Sequence, residues 1–175
     1  MFDSPRGERE RALIILGIDP GLANTGWGVI ETSGSRFRCV AYGCVTTEGT
    51  MPLPARLTRI HESLCAVAAK YRPDEAAIES VYFSNNAKSA FATGQARGVA
   101  ILAAHGMPLG EYGPGEIKLA VVGAGDADKH QVQYMVRVVL GLKDEPKPDH
   151  AADALAAAIC HANSRARAAL TGTAL

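Results

Sequence analysis

Apolar and polar positions along this chain alternate between strand-like and helix-like patterns. Residues 13–18 form an apolar run broken only by Gly17, closed at once by Asp19 and a Pro20-Gly21 turn. Such a run, ended by turn residues, predicts a central strand buried on both faces. Residues 25–32 alternate in β fashion, Ser33-Gly34-Ser35 signals a turn, and residues 37–46 read as a further strand. The chain is therefore expected to open with three antiparallel strands. Leu57, Ile60, Leu64 and Val67 then recur at helical spacing, and Pro73 stops that helix. A short strand follows over 75–82, reached by a crossover that makes it a parallel neighbour. The rest of the pattern predicts a helix over 87–105, a strand over 108–112, a short helix over 116–122, a turn over 123–126, a helix over 128–140, a polar loop over 143–148 and a last helix over 149–161. This order predicts an α/β domain with a mixed five-stranded sheet flanked by helices.

Composition narrows the class. At 175 residues with 47% hydrophobic side chains, the chain is long and apolar enough for one domain with a real core. Residues 13–163 are expected to form it, with flexible tails over 1–12 and 164–175. The 18 basic and 18 acidic residues cancel, so any nucleic-acid surface must come from local clustering of charge. Cys39, Cys44, Cys65 and Cys160 show neither paired nor zinc-ligand spacing. They read as small core residues in a reducing cytoplasm. No apolar run approaches membrane-spanning length, and the first residues lack a signal peptide's apolar core.

The chemistry lies in acids placed on apolar elements. Asp19 ends a core strand, where an ionised carboxylate is costly unless paired or bound to a cation; alone, it reads equally well as a turn cap. Residues 151–160 are almost wholly Ala and aliphatic, as in a helix that lies close against a sheet. Asp153 interrupts them and has no ordinary structural task. His150 and Asp149 lie three and four residues before it, on the same helical face. Asp149 follows Pro148 and reads as an N-cap ahead of a catalytic or ligand role, and His150 in the first turn reads either as a surface residue or as a ligand. Glu79 closes the apolar Ala76-Ala77-Ile78 stretch. Carboxylates that converge repel each other and call for a cation, and hard oxygen ligands favour Mg²⁺ or Mn²⁺. Two such ions about 3.5–4 Å apart can clamp both oxygens of a phosphodiester displacement. The expected chemistry is metal-dependent phosphoryl transfer.

Several motifs together resemble the RuvC family of bacterial Holliday-junction resolvases. They are Gly17-Ile18-Asp19-Pro20-Gly21 with Thr25-Gly26-Trp27-Gly28-Val29, Ala77-Ile78-Glu79-Ser80-Val81-Tyr82-Phe83, Asn86-Ala87-Lys88-Ser89-Ala90, Gly94-Gln95-Ala96-Arg97-Gly98, Val121-Val122-Gly123-Ala124-Gly125, and His150-Ala151-Ala152-Asp153-Ala154-Leu155-Ala156. The resemblance runs from about residue 13 to 161. It implies a ribonuclease-H-like fold, a homodimer, and a Mg²⁺- or Mn²⁺-dependent endonuclease that nicks four-way DNA junctions in pairs, leaving 5′-phosphate and 3′-hydroxyl ends. It also implies work beside the RuvA–RuvB branch-migration complex. Asp19, Glu79 and Asp153 match three of the family's four metal-binding positions; the fourth, Asp in many members, is His150 here. Imidazole is a softer ligand than carboxylate, which predicts a preference for Mn²⁺.

The same resemblance implies that Tyr82 stacks on an unpaired base and that Lys118 and Lys129 hold phosphate at the rim of the site. Ala90, Gly94 and Gly98 form a small-residue stripe that packs either on the protein's own sheet or across a dimer twofold. Arg97 is either a DNA contact or half of an ion pair. Two other readings compete. Asp19-Pro20-Gly21 followed by Thr25-Gly26 is also similar to the first phosphate motif of sugar-kinase and actin-like ATPases, but a second Asp-Gly motif is absent and one small domain leaves no nucleotide cleft. A junction-binding module without catalysis is disfavoured because the acids are present, with His150 the one departure.

Overall fold

Alternation along the central strand decides what each face of the sheet carries. The computed structural model describes residues 12–80 and 87–172. Its strands are β1 (Leu13–Asp19), β2 (Asn24–Ser33), β3 (Arg36–Thr46), β4 (Glu75–Glu79) and β5 (Leu109–Tyr112). Its helices are α1 (Leu53–Tyr71), α2 (Ala87–Ala103), α3 (Pro114–Val122), α4 (Lys129–Val139) and α5 (Asp149–Thr171). The sheet order is β3-β2-β1-β4-β5. β1, β2 and β3 pair antiparallel, and β4 lies parallel to both β1 and β5. This is the mixed five-stranded sheet that the pattern predicts, with the first strand in the middle.

Successive strand residues point to opposite faces. Leu16, Ile18 and Ile78 pack with Ile60 and Leu64 of α1 and with Ala96 and Ala100 of α2. Ile15 and Ala77 pack on the other face with α5, α3 and α4. The same alternation turns Gly17, Asp19 and Glu79 toward α5. A Cβ added to Gly17 would lie 1.9 Å from the Ala154 carbonyl oxygen, and one on Gly26 would lie 1.8 Å from that of His150. These glycines, facing an Ala-rich helix, let α5 settle directly on β1 and β2. That close approach carries His150 and Asp153 to the end of β1. Gly17→Ala would force the helix outward, so we expect a loss of about 1–3 kcal/mol, read by denaturant unfolding, with cleavage falling as well because the carboxylates separate.

Further along α5, a polar network that reaches from the end of β5 to the start of β4 fixes the rest of the helix. The Tyr112 hydroxyl lies 2.8 Å from His161 Nδ1, His161 Nε2 lies 2.7 Å from Glu75 Oε2, and Arg165 Nε donates to Glu75 Oε1 at 3.0 Å. Because of this anchor, α5 does not stop at His161 as the apolar pattern predicts. It continues to Thr171, where Gly172 closes it in the left-handed conformation with φ 68°. Residues 164–171 are thus helical; their Ala and Arg side chains are strong helix formers.

Three further expectations are corrected or resolved. The short helix begins at Pro114 rather than at residue 116, since Pro suits the first helical position and Glu116 reaches back to the Gly113 amide. Asp149 is not the N-cap of α5. Pro148 holds that position and makes no side-chain cap, while Asp149 is the first helical residue and bonds Lys147 instead. The stripe on α2 does not face the sheet, because Ala96, Ala100 and Ala104 do so. Gly94 and Gly98 look into open space, on the same side as exposed Phe91 and Leu102.

Candidate metal centre

Two adjacent strand ends and the first turn of one helix supply the site. Asp19 ends β1, Glu79 ends the parallel neighbour β4, and His150 and Asp153 lie in the first turns of α5. The Pro20-Gly21 turn leaves β1 at once. It is pinned by Thr25, a fully buried residue whose hydroxyl donates to the Gly21 carbonyl at 2.7 Å. The position of Asp19 is therefore set by the sheet behind it and a closed turn in front of it.

The side chains converge. His150 Nδ1 lies 2.7 Å from Asp19 Oδ2. Asp19, His150 and Asp153 each offer a ligand atom, and these atoms lie within 4.8 Å of one another. Glu79 ends the parallel neighbour of β1 and feels the charges of both Asp19 and Asp153. Burial, then the charges of Asp19 and Asp153, push the Glu79 carboxyl up to about 7. Burial and the Asp19 charge also raise the Asp153 carboxyl. His150 is raised by its bond to Asp19. Acids this close together resist ionising, and a divalent charge among them would relieve their repulsion. Their oxygens, with one imidazole nitrogen, fit a small divalent ion.

Both predicted lysines reach this place. A cavity of about 190 Å³ is lined by Glu79 and Asp153 together with Lys118 of α3 and Lys129 of α4. Lys129 Nζ lies 3.4 Å from Asp153 Oδ2 and 3.4 Å from Asp149 Oδ2. Partial burial works against its ammonium, but the two aspartates outweigh it and hold its pKa above the usual range. Asp149 thus faces the site through Lys129, outside the cluster of three ligands. The capping box of Asp128 and Gln131 aims Lys129, since it fixes the start of α4 one residue earlier. Tyr82, and with it Phe83, lies outside the described residues. Arg97 pairs with Glu111 across to β5. Sequence reasoning missed Gly17 and Gly26 as the surface that seats α5, and Thr25 as the clamp on the turn. Both belong to the motifs quoted above, yet a pattern of polarity gives no sign of which glycine lies under a helix.

Comparison with known proteins follows the same lines. The profile of the family described as "Crossover junction endodeoxyribonuclease RuvC" matches residues 15–161. A protein of that name from Desulforamulus reducens is 49% identical over 152 residues, covering 86% of this chain and 93% of its own. Another from Chloroflexus aggregans is 52% identical over 149 residues, covering 84% and 91%. Among solved structures, Thermus thermophilus RuvC in complex with Holliday junction substrate superposes with a TM-score of 0.85 at 37% identity, covering 89% of this chain and 96% of that one. The ribonuclease-H-like fold expected from the motifs is therefore present.

Proposed function

The chain belongs to the RuvC family of crossover junction endodeoxyribonucleases, and on that footing we propose that it resolves four-way DNA junctions by paired, symmetric, metal-dependent nicks. The observation that carries this reading is the convergence of Asp19, His150 and Asp153 within 4.8 Å, with Glu79 beside them, at the end of the central strands. Asp19, Glu79, His150 and Asp153 would hold the cations. A bound divalent ion lowers the pKa of water and offsets charge on the phosphate under attack. The protein's own part is to hold the scissile phosphate in line. Asp19, fixed at the sheet's centre, and Glu79 face the attacking side. Asp153 and His150, on α5, face the leaving 3′ oxygen. Lys118 and Lys129, on the rim, bind phosphate and offset charge that grows in the transition state. Tyr82 would stack on an unpaired base, a contact worth about 1–3 kcal/mol. The products carry 5′-phosphate and 3′-hydroxyl ends that a ligase can join.

Two equivalent cuts call for two sites, so the chain would act as a homodimer, whose twofold suits the near-twofold junction. The face of α2 that carries Phe91, Gly94, Gly98 and Leu102 supports this. Phe91 is 71% and Leu102 61% exposed, and the glycines let a second helix approach closely. The work belongs to recombination and repair in the cytoplasm, beside the RuvA–RuvB complex. Among the described residues no helix is long and apolar enough to cross a membrane.

The test is a nicking assay on a mobile four-way junction against linear duplex of the same sequence, with products treated by ligase. Symmetric, ligatable nicks confined to the junction are expected. Binding without cutting in any divalent metal would leave only a junction-binding module. His150 among the ligands predicts that cleavage saturates at lower Mn²⁺ than Mg²⁺ concentration, roughly tenfold lower. Equal half-saturation in the two metals would refute the imidazole's role in ion choice.

A further inference from the structure

Thr47, just past the end of β3, is 4% exposed and fully bonded. Its amide donates to the Ala23 carbonyl at 2.9 Å, and its hydroxyl donates to the Leu22 carbonyl at 2.5 Å. The same hydroxyl oxygen accepts from Arg56 Nε at 2.8 Å. Arg56 stands in the first turn of α1 and is half-buried. Its guanidinium is therefore oriented by a rigid, neutral partner.

Three arginines of the fold are neutralised by carboxylates. Arg38 pairs with Glu31, Arg97 with Glu111, and Arg165 with Glu75. Among the described residues no carboxylate pairs with Arg56. Toward the described residues only its Nε–H is used, so the two terminal nitrogens remain available in a fixed fork. Such a fork matches two oxygens of one phosphate, and its fixed orientation lowers the entropy lost on binding.

The location is the catalytic end of the sheet, on the α1 side, across the sheet edge from the face that carries α5 and the acids. Asp19 is level with Gly26 on β2, and Gly26 is level with Cys44 on β3. Thr47 is thus two strands across and three residues further along, roughly 14 Å from Asp19 by ordinary sheet spacings. Phosphates of one strand recur every 3.4 Å or so of helix axis, which puts a bound one at Arg56 a few nucleotides from the cut.

We infer that Arg56, oriented by Thr47, binds a backbone phosphate of the junction a few nucleotides from the scissile bond. The inference rests on the junction-cleaving function proposed above. It is tested by anisotropy titration of a labelled four-way junction, and of linear duplex, at several salt concentrations without divalent metal. Each Lys or Arg contact to phosphate contributes about one to the slope of log affinity against log salt. Arg56→Gln is expected to flatten that slope by about one and to weaken binding about tenfold near 0.1 M salt. Arg56→Lys should keep the slope while binding more weakly, since it retains charge without the fork. Thr47→Val should likewise keep the slope and lose a few-fold in affinity. If Arg56→Gln lowers the melting temperature but leaves slope and affinity unchanged, Arg56 is only a tether for the turn and the inference is wrong. If the wild type shows no preference for junction over duplex, the proposed function fails, and the slope on duplex still reads Arg56.

Discussion

Asp19→Asn is expected to reduce junction cleavage by about a thousandfold or more while leaving junction binding intact. Asn keeps the size and shape of Asp, and the central strand and the Thr25-pinned turn would hold it in the same place. What disappears is the charge at the point where β1, β4 and α5 meet. Asp19 is 16% exposed, it bonds His150, and its charge helps to hold the Glu79 carboxyl up. The remaining ligands would bind a cation more weakly, and raising the metal concentration should recover only part of the rate. Binding without metal should hold or tighten slightly, because one repulsive charge facing the DNA phosphates is gone. Single-turnover cleavage beside anisotropy binding gives both quantities. A variant that cuts within tenfold of the wild type would remove Asp19 from the centre of the mechanism.

The same residue shows how far sequence reasoning reaches. Asp19 on its own reads equally as a turn cap or a buried ligand. Its apolar strand, and those around Glu79 and Asp153, tip the balance, because the cost of burying a charge is a physical signal legible in a pattern. Element order and strand direction follow from the same periodicities, as do the crossover to β4 and the central place of β1. What stays hidden depends on contacts between distant segments. Gly17 and Gly26 are ordinary strand glycines until α5 lies on them. Residues 164–171 look like a polar tail until Arg165 and His161 meet Glu75, some ninety positions earlier. Asp149 looks like an N-cap because Pro148 precedes it, yet the chain enters α5 with Pro148 in the cap position and leaves the Asp149 carboxylate to Lys147 and Lys129. Arg97 could be read either way, and its partner Glu111 becomes visible only when α2 and β5 are set side by side.

The crowding of acids makes a second prediction, on stability rather than rate. In the metal-free protein the Glu79 carboxyl sits near 7, against an ordinary 4.5, because it is buried and faces Asp19 and Asp153. Between these two values the folded chain holds a proton that the unfolded chain has released. Stability must then fall as pH rises through that window; the cost is absent below about 4.5 and complete above about 7. The shift corresponds to roughly 3 kcal/mol at most. Glu79→Gln keeps the shape but carries no charge at any pH. With a chelator present, wild type and variant should melt together near pH 4.5. By pH 8 the variant should melt about 5–10 °C higher. Added Mn²⁺ should reverse that order, since the intact acid set gains more from a cation that binds only the folded state. Metal affinity of the wild type should also rise with pH, because binding has to expel the Glu79 proton and that of His150, which Asp19 holds above its ordinary value. Calorimetry at the two pH values, with and without metal, measures all of this. A stability difference that is the same at both would mean that the folded Glu79 does not release its proton in this window as the crowding of acids requires.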